Sequence, residues 1–316
     1  MAVSFANFPK FLVKTLLPAL RALPPRAALK LVARLGRLEY AVNFRRRRRY
    51  GAAVRQAARH FGVDWDANQT GRELAANQFR WRARDLLLDN LSDLQAEPFF
   101  HVRGQDALES ALAKGRGVIL LFNHFGAFLM PAHWLVRRGF PLRWFTERPR
   151  QISRLVSRDF GDDGPLGQRK LFISRRLSPG EGSTAIRHAM RILHAGLIVQ
   201  IAGDVRWTGG RTAPGILLGK RYHFTTTWIT LAAMTGSPVV PVYSTMRPDG
   251  SCDLEFLSPF EVAPDTPRNP IETARLVQQN LDEIEARIKL HPDNSLDYLF
   301  WTESDPAGGE VESEAA

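Results

Sequence analysis

The stretch Gly117-Val-Ile-Leu-Leu-Phe-Asn-His-Phe-Gly-Ala-Phe128 decides the fold. Its first six residues are an apolar run of the length and composition of a buried strand. The run passes straight into Asn123, His124, Phe125 and Gly126, and then into helical spacing over 127–138. Gly126 lets the backbone turn closely between the two elements. His124 therefore stands at the carboxyl edge of a core strand, where an imidazole can face a cleft and act as a base near neutral pH. A histidine hydrogen-bonded to a neighbouring loop for structure fits the same spacing, so the residues alone leave both readings open.

On either side of this stretch the pattern repeats. Short apolar runs occur at 99–102, 142–146, 171–174, 197–202, 239–244 and 253–257, and amphipathic stretches fall around 105–114, 182–195, 224–235 and 270–290. Such alternation implies an α/β fold with a mostly parallel central sheet flanked by helices. Before it, helical spacing covers 25–61, opened by Pro24-Pro25, and about 71–91, which adds an N-terminal helical decoration. In open α/β sheets ligands sit beyond the carboxyl ends of the strands. Asp204, which follows the run at 197–202 through Gly203, is thereby expected in the same cleft as His124; a loop cap or a pair with Arg206 is the structural alternative.

Charge is unevenly placed along the 316 residues. The chain has 43 Lys+Arg against 32 Asp+Glu, a net +11, and only 7 of the 43 are lysine. Residues 1–60 hold 14 of these cations against Glu39 alone, so they carry the whole surplus. A spanning helix needs about 20 apolar residues in a row, and the candidate from Phe5 to Leu23 is broken by Pro9, Lys10, Lys14, Pro18 and Arg21. Its Phe and Leu residues with interspersed cations instead suit an interfacial segment on an anionic membrane surface. The run Arg45 to Arg49 lacks any accompanying nucleic-acid motif, and a helix scatters it around all sides, so no nucleic-acid partner is expected. A single cysteine, Cys252, and no Cys/His cluster at zinc spacing imply a reducing, cytosolic setting and no metal. We expect 1–98 to be a basic helical, membrane-associating region, 99–302 the α/β core, and 303–316 a disordered acidic tail.

The sequence resembles the bacterial lipid A biosynthesis acyltransferases of the lysophospholipid acyltransferase superfamily over roughly residues 20 to 301. The resemblance rests on several phrases in order. They are His101-Val-Arg-Gly-Gln-Asp-Ala-Leu before Gly115-Arg-Gly-Val, the block Asn123-His-Phe-Gly, Ile201-Ala-Gly-Asp-Val-Arg-Trp, Thr235-Gly-Ser-Pro-Val-Val-Pro-Val-Tyr, Arg247-Pro-Asp-Gly and the closing His291-Pro-Asp-Asn. It implies a glycerol-3-phosphate acyltransferase-like core, no bound cofactor, and transfer of a fatty acyl chain from an acyl carrier protein or coenzyme A thioester to a hydroxyl of a membrane lipid or glycolipid. It also implies peripheral attachment at the cytoplasmic face of the inner membrane.

In that family the catalytic histidine is followed, after four residues, by an acid. Here the fifth residue after His124 is Leu129. A leucine cannot orient an imidazole, so another carboxylate has to do so, with Asp204 the best candidate ahead of Glu147 and Asp159. The match His101 to Asp106 lies in a structural phrase. The resemblance makes Arg148 a contact for an acidic substrate group, a role that Arg206, or Arg211, Lys220 and Arg221 in the following long loop, also suits. We expect His124 and Asp204 to be catalytic, Asn123, Phe125, Gly126, Arg148 and Arg206 to bind substrate, and backbone amides near Gly126 to hold the oxyanion. Thr225, Thr226 and Thr227 are expected to cap a helix, and Phe128, Met130, Trp134 and Trp228 to be core or acyl groove. The competing expectation, suggested by Leu129, is a catalytically silent member of the fold that binds lipid or a partner at the membrane.

Overall fold

Three long helices, with a single helical turn at Asp93–Ala96 after them, precede the sheet in the computed structural model, which describes residues 19–88, 91–146, 170–172, 179–207 and 211–301. These are α1 (Pro25–Val42), α2 (Phe44–Phe61) and α3 (Ala67–Leu88). Then follow β1 (Phe100–Arg103), α4 (Gln105–Ala113), β2 (Val118–Phe122), α5 (Met130–Arg137), β3 (Leu142–Thr146), β4 (Lys170–Phe172), α6 (Pro179–His194) and β5 (Ile198–Ala202). The remainder is β6 (Thr212–Leu217), β7 (Lys220–Thr225), α7 (Thr227–Thr235), β8 (Val239–Met246), β9 (Cys252–Phe256), α8 (Pro270–Leu290) and the one-turn α9 (Leu296–Leu299).

The described strands form a seven-stranded sheet in the order β1-β9-β8-β2-β5-β3-β4. Every neighbouring pair is parallel except β8 with β9, so β9 and β1 run against the other five. Strand β2 sits in the middle, and all five of its residues are buried. Side chains alternate across a strand. Val118, Leu120 and Phe122 accordingly enter one apolar layer, with α5 residues Met130, Trp134 and Leu135, while Ile119 and Leu121 enter the other, with α8 residues Val277, Leu281 and Ile284. Two covered faces explain why this strand reads as a continuous apolar run rather than an alternating one.

Three features differ from the sequence reading. The helical spacing over 25–61 is two helices, broken at Asn43, whose side chain accepts the N–H of Arg46 at 3.1 Å and so caps α2. The helix expected over 224–235 starts at Thr227, because Phe224 and Thr225 complete β7. Thr226 precedes that helix without a side-chain cap, its hydroxyl donating to the Arg211 carbonyl at 3.3 Å instead. Finally, the long loop after Asp204 contains the antiparallel β6–β7 hairpin, closed by Leu218 and Gly219 with φ of 52° and 74°. Positive φ at both loop residues matches the twist of the flanking strands.

The run Arg45 to Arg49 is indeed spread around α2. Arg46 points inward, bonding to Glu39 and Gln78 and donating to the Tyr50 hydroxyl at 2.9 Å. Arg45, Arg47, Arg48 and Arg49 are exposed, the last over the Phe300 ring at 4.8 Å. Among the described residues no helix is long and apolar enough to cross a membrane; most of the interfacial segment expected from Phe5 to Leu23 lies outside them, as does the acidic tail.

Candidate active site

Register builds the site. Phe122 of β2 is paired with Ala202 of β5, so the residues two beyond each strand end, His124 and Asp204, emerge at the same level of the sheet edge. Gly203 joins β5 to Asp204, and its N–H donates to the Phe122 carbonyl at 2.8 Å. A Cβ there would lie 2.9 Å from Asn280 Nδ2 and 3.0 Å from Asn123 Oδ1. Glycine thus lets the two strand ends close up.

Asp204 is fully buried and holds His124 twice. Its Oδ1 lies 2.8 Å from the ring Nδ1, and its Oδ2 accepts the His124 backbone N–H at 2.7 Å. The Tyr298 hydroxyl donates to the same Oδ2 at 2.6 Å. Burial pushes this carboxyl upward, but the His124 ring, the Tyr298 hydroxyl and the His124 amide together hold it below the usual carboxylate range. A charged Asp204 selects the imidazole tautomer with its proton on Nδ1, which leaves the lone pair on Nε2. The His124 side chain keeps 35% of its surface exposed while that of Asp204 keeps none. The site is a solvent-reachable base mounted on a sealed acid.

An apolar wall stands beside the ring. Phe128 meets His124 edge-on at 4.8 Å and stacks on Phe122 at 5.8 Å. Trp81 of α3 adds a third ring, 5.7 Å from Phe128. Leu129 is half-buried and packs into the same layer. Position 129 is therefore part of an apolar surface, and the carboxylate beside His124 arrives from the neighbouring strand.

Behind the dyad lies a polar knot. Asn123 Nδ2 donates to Asn280 Oδ1 at 2.9 Å and to the Tyr243 hydroxyl at 3.1 Å, and Asn280 returns a bond to Asn123 Oδ1 at 3.1 Å. Burial raises the Tyr243 hydroxyl far above its ordinary range, so it stays protonated. Gly126, at φ 57°, donates to the Asn294 carbonyl at 2.8 Å, and a Cβ on it would lie 2.2 Å from the Ser244 carbonyl oxygen. These bonds fix the turn that carries His124.

Several expected substrate contacts are therefore structural. Asn123 and Phe125 are buried, the first in the amide knot and the second in the core facing Tyr243, so neither is placed to touch substrate. The amides of 124 to 127 are committed, to Asp204 Oδ2 and to the carbonyls of Asn123, Asn294 and Ser244. They are thus not available as the oxyanion hole expected near Gly126. Met130, Trp134 and Trp228 are core. Arg206, two residues after Asp204 in the chain, lies over the rings of Trp301 at 4.2 Å and Tyr222 at 5.5 Å. Lys220 reaches the Trp301 carbonyl at 3.4 Å. Arg148, Glu147 and Asp159 lie outside the described residues.

The sequence reading gave no site role to Tyr298, Asn280 or Tyr243, although Tyr243 closes one of the quoted phrases. The closing phrase at 291–294 gave a signal for the region, but Tyr298 lies four residues beyond it, and nothing local marks its partner 94 positions away. No individual curated protein matches the chain. The model of the family described as bacterial lipid A biosynthesis acyltransferase matches residues 5–299. With nearly the whole chain matched and a histidine–aspartate pair at the carboxyl edge of its α/β sheet, this chain belongs to the bacterial lipid A biosynthesis acyltransferase family.

Proposed function

We propose that the protein is an O-acyltransferase that moves a fatty acyl chain from an acyl carrier protein or coenzyme A thioester to a hydroxyl of a membrane lipid or glycolipid. It does so as a peripheral protein at the cytoplasmic face of the inner membrane. The observation that carries this reading is the 2.8 Å contact between His124 Nδ1 and the buried Asp204. An alcohol is a weak nucleophile at neutral pH. His124 Nε2 takes its proton as the oxygen attacks the thioester carbonyl, and Asp204 stabilises the imidazolium that forms. Collapse of the tetrahedral intermediate breaks the C–S bond, and the imidazolium returns the proton to the leaving thiolate. Arg206, and Arg148 by resemblance, hold acidic groups of the substrates. Phe128 offers the apolar contact that an acyl chain needs next to the base.

The silent-protein reading drew on Leu129. Asp204 supplies the carboxylate that Leu129 lacks, which favours the enzyme. Incubating the purified chain with a radiolabelled acyl thioester and mixed lysolipids should transfer label, and His124→Ala should lower the rate by about 10²–10⁴-fold. Equal transfer with and without His124 defeats the assignment. Leu129→Glu should raise turnover little, since the orienting site is filled; a large gain would show that Asp204 does not perform that role.

A further inference from the structure

The outer face of α1 to α3 carries a feature that acyl transfer does not use. Two adjoining clefts lie there, of about 670 Å³ and 300 Å³, and share Tyr40, Arg47 and Asn68 in their linings. Arg34, Arg37 and Arg72 also line the larger, and Arg48 and Arg55 the smaller. Of these six arginines Arg37 pairs with a carboxylate, Glu73, at 2.9 and 2.7 Å, and among the described residues no other carboxylate pairs with a cleft arginine. Arg47 lies over the Phe44 ring at 5.9 Å.

Bulky apolar side chains project from the same rim. Leu38 is 58%, Val42 73% and Phe44 62% exposed. Arg34, Leu38 and Val42 follow one another at i, i+4 on the outward side of α1, opposite the buried Leu29, Val32 and Tyr40. Phe44, Arg47 and Arg48 continue this face at the start of α2. Protruding apolar residues between guanidinium groups are the distribution of a surface lying in a headgroup layer, with side chains entering the acyl boundary and cations at the phosphates. Guanidinium forks also suit phosphodiester oxygens. An acidic protein helix would answer the arginines but would leave the apolar rim without a partner.

We propose that this face docks the protein on an anionic phospholipid bilayer, with Leu38, Val42 and Phe44 inserted and the cleft arginines holding headgroup phosphates. The inference rests on the membrane-lipid reading of the acceptor, but its test reads binding alone. The full chain is sedimented with phosphatidylcholine vesicles with and without phosphatidylglycerol, in low and moderate salt. Wild-type protein and His124→Ala should bind the anionic vesicles equally. Leu38→Asp/Phe44→Asp and Arg34→Glu/Arg47→Glu/Arg72→Glu should each lower binding at least tenfold with unchanged circular dichroism and melting temperature, since all five residues are exposed. Unchanged vesicle binding by either variant overturns the proposal. Loss of binding to purified acyl carrier protein with vesicle binding retained would also overturn it, and would give the face to an acidic protein instead. Loss of acyl transfer in His124→Ala with vesicle binding intact separates this result from the catalytic one.

Discussion

The carboxyl edge of the sheet and the outer face of α1 to α3 hold charge in opposite ways. At the sheet edge one carboxylate, Asp204, is sealed from water and saturated by the His124 ring, the His124 amide and the Tyr298 hydroxyl. On the helical face six arginines line two open clefts, and among the described residues one of them is paired with a carboxylate. A buried charge survives only with its partners in place, so the identity of each neighbour matters. Exposed charges interact weakly in pairs and act through their number and placement. The first arrangement suits chemistry on one atom, and the second suits attachment to an extended surface.

The largest effect that tests this contrast is expected from Asp204→Asn. It keeps the shape but loses the charge that selects the tautomer, and by analogy with the serine protease triad turnover should fall about 10⁴-fold. Acyl transfer retained within tenfold would mean that the sheet edge tolerates charge loss as a surface does. Next comes Gly126→Ala. Positive φ and the Ser244 carbonyl in the path of the new Cβ should cost about 2–4 kcal/mol, read by urea unfolding. A variant as stable as the parent would show that the turn carrying His124 is pliable.

Tyr298→Phe sharpens the comparison further. Removing a hydrogen bond to a buried charge should cost about 1.5–3 kcal/mol near neutral pH. Asp204 is held below the ordinary carboxylate range in the native state, so its contribution is present above that range and disappears as pH falls through the native value. Losing the Tyr298 donor raises the native value toward the unfolded one, so the acid-dependent loss of stability should be smaller and should end at higher pH in thermal melts across about pH 2 to 7. An identical acid limb in parent and variant would separate Tyr298 from the dyad's charge. The smallest effect belongs to Arg48→Gln, which should change stability by no more than about 0.5 kcal/mol. A larger loss in its melting curve would show that the helical face depends on individual partners after all.

The α/β layering was legible because central strands buried on both faces leave unbroken apolar runs, and the break into Asn123-His124 marks where such a run ends. The β6–β7 hairpin was not legible. Its strands include Pro214 and Gly215, and its turn is Leu218-Gly219 rather than an Asn-Gly or Asp-Gly pair. Asn123 and Phe125 looked like site residues because they flank His124. The turn that follows β2 sends them away from the ring, into the amide knot and the core.

Local order along the chain determined that a histidine and an aspartate would each follow a buried strand, that a leucine would stand five residues after that histidine, and that basic charge would gather at the N-terminus. Only the tertiary structure decided that β2 and β5 are neighbours in a register that sets Asp204 against His124, and that Tyr298 closes on the same carboxylate. Hydrophobic periodicity is written over a few residues and can be read in one dimension. Strand order, register and long-range hydrogen bonds depend on which surfaces meet after the chain has collapsed, and no short stretch of sequence contains both partners.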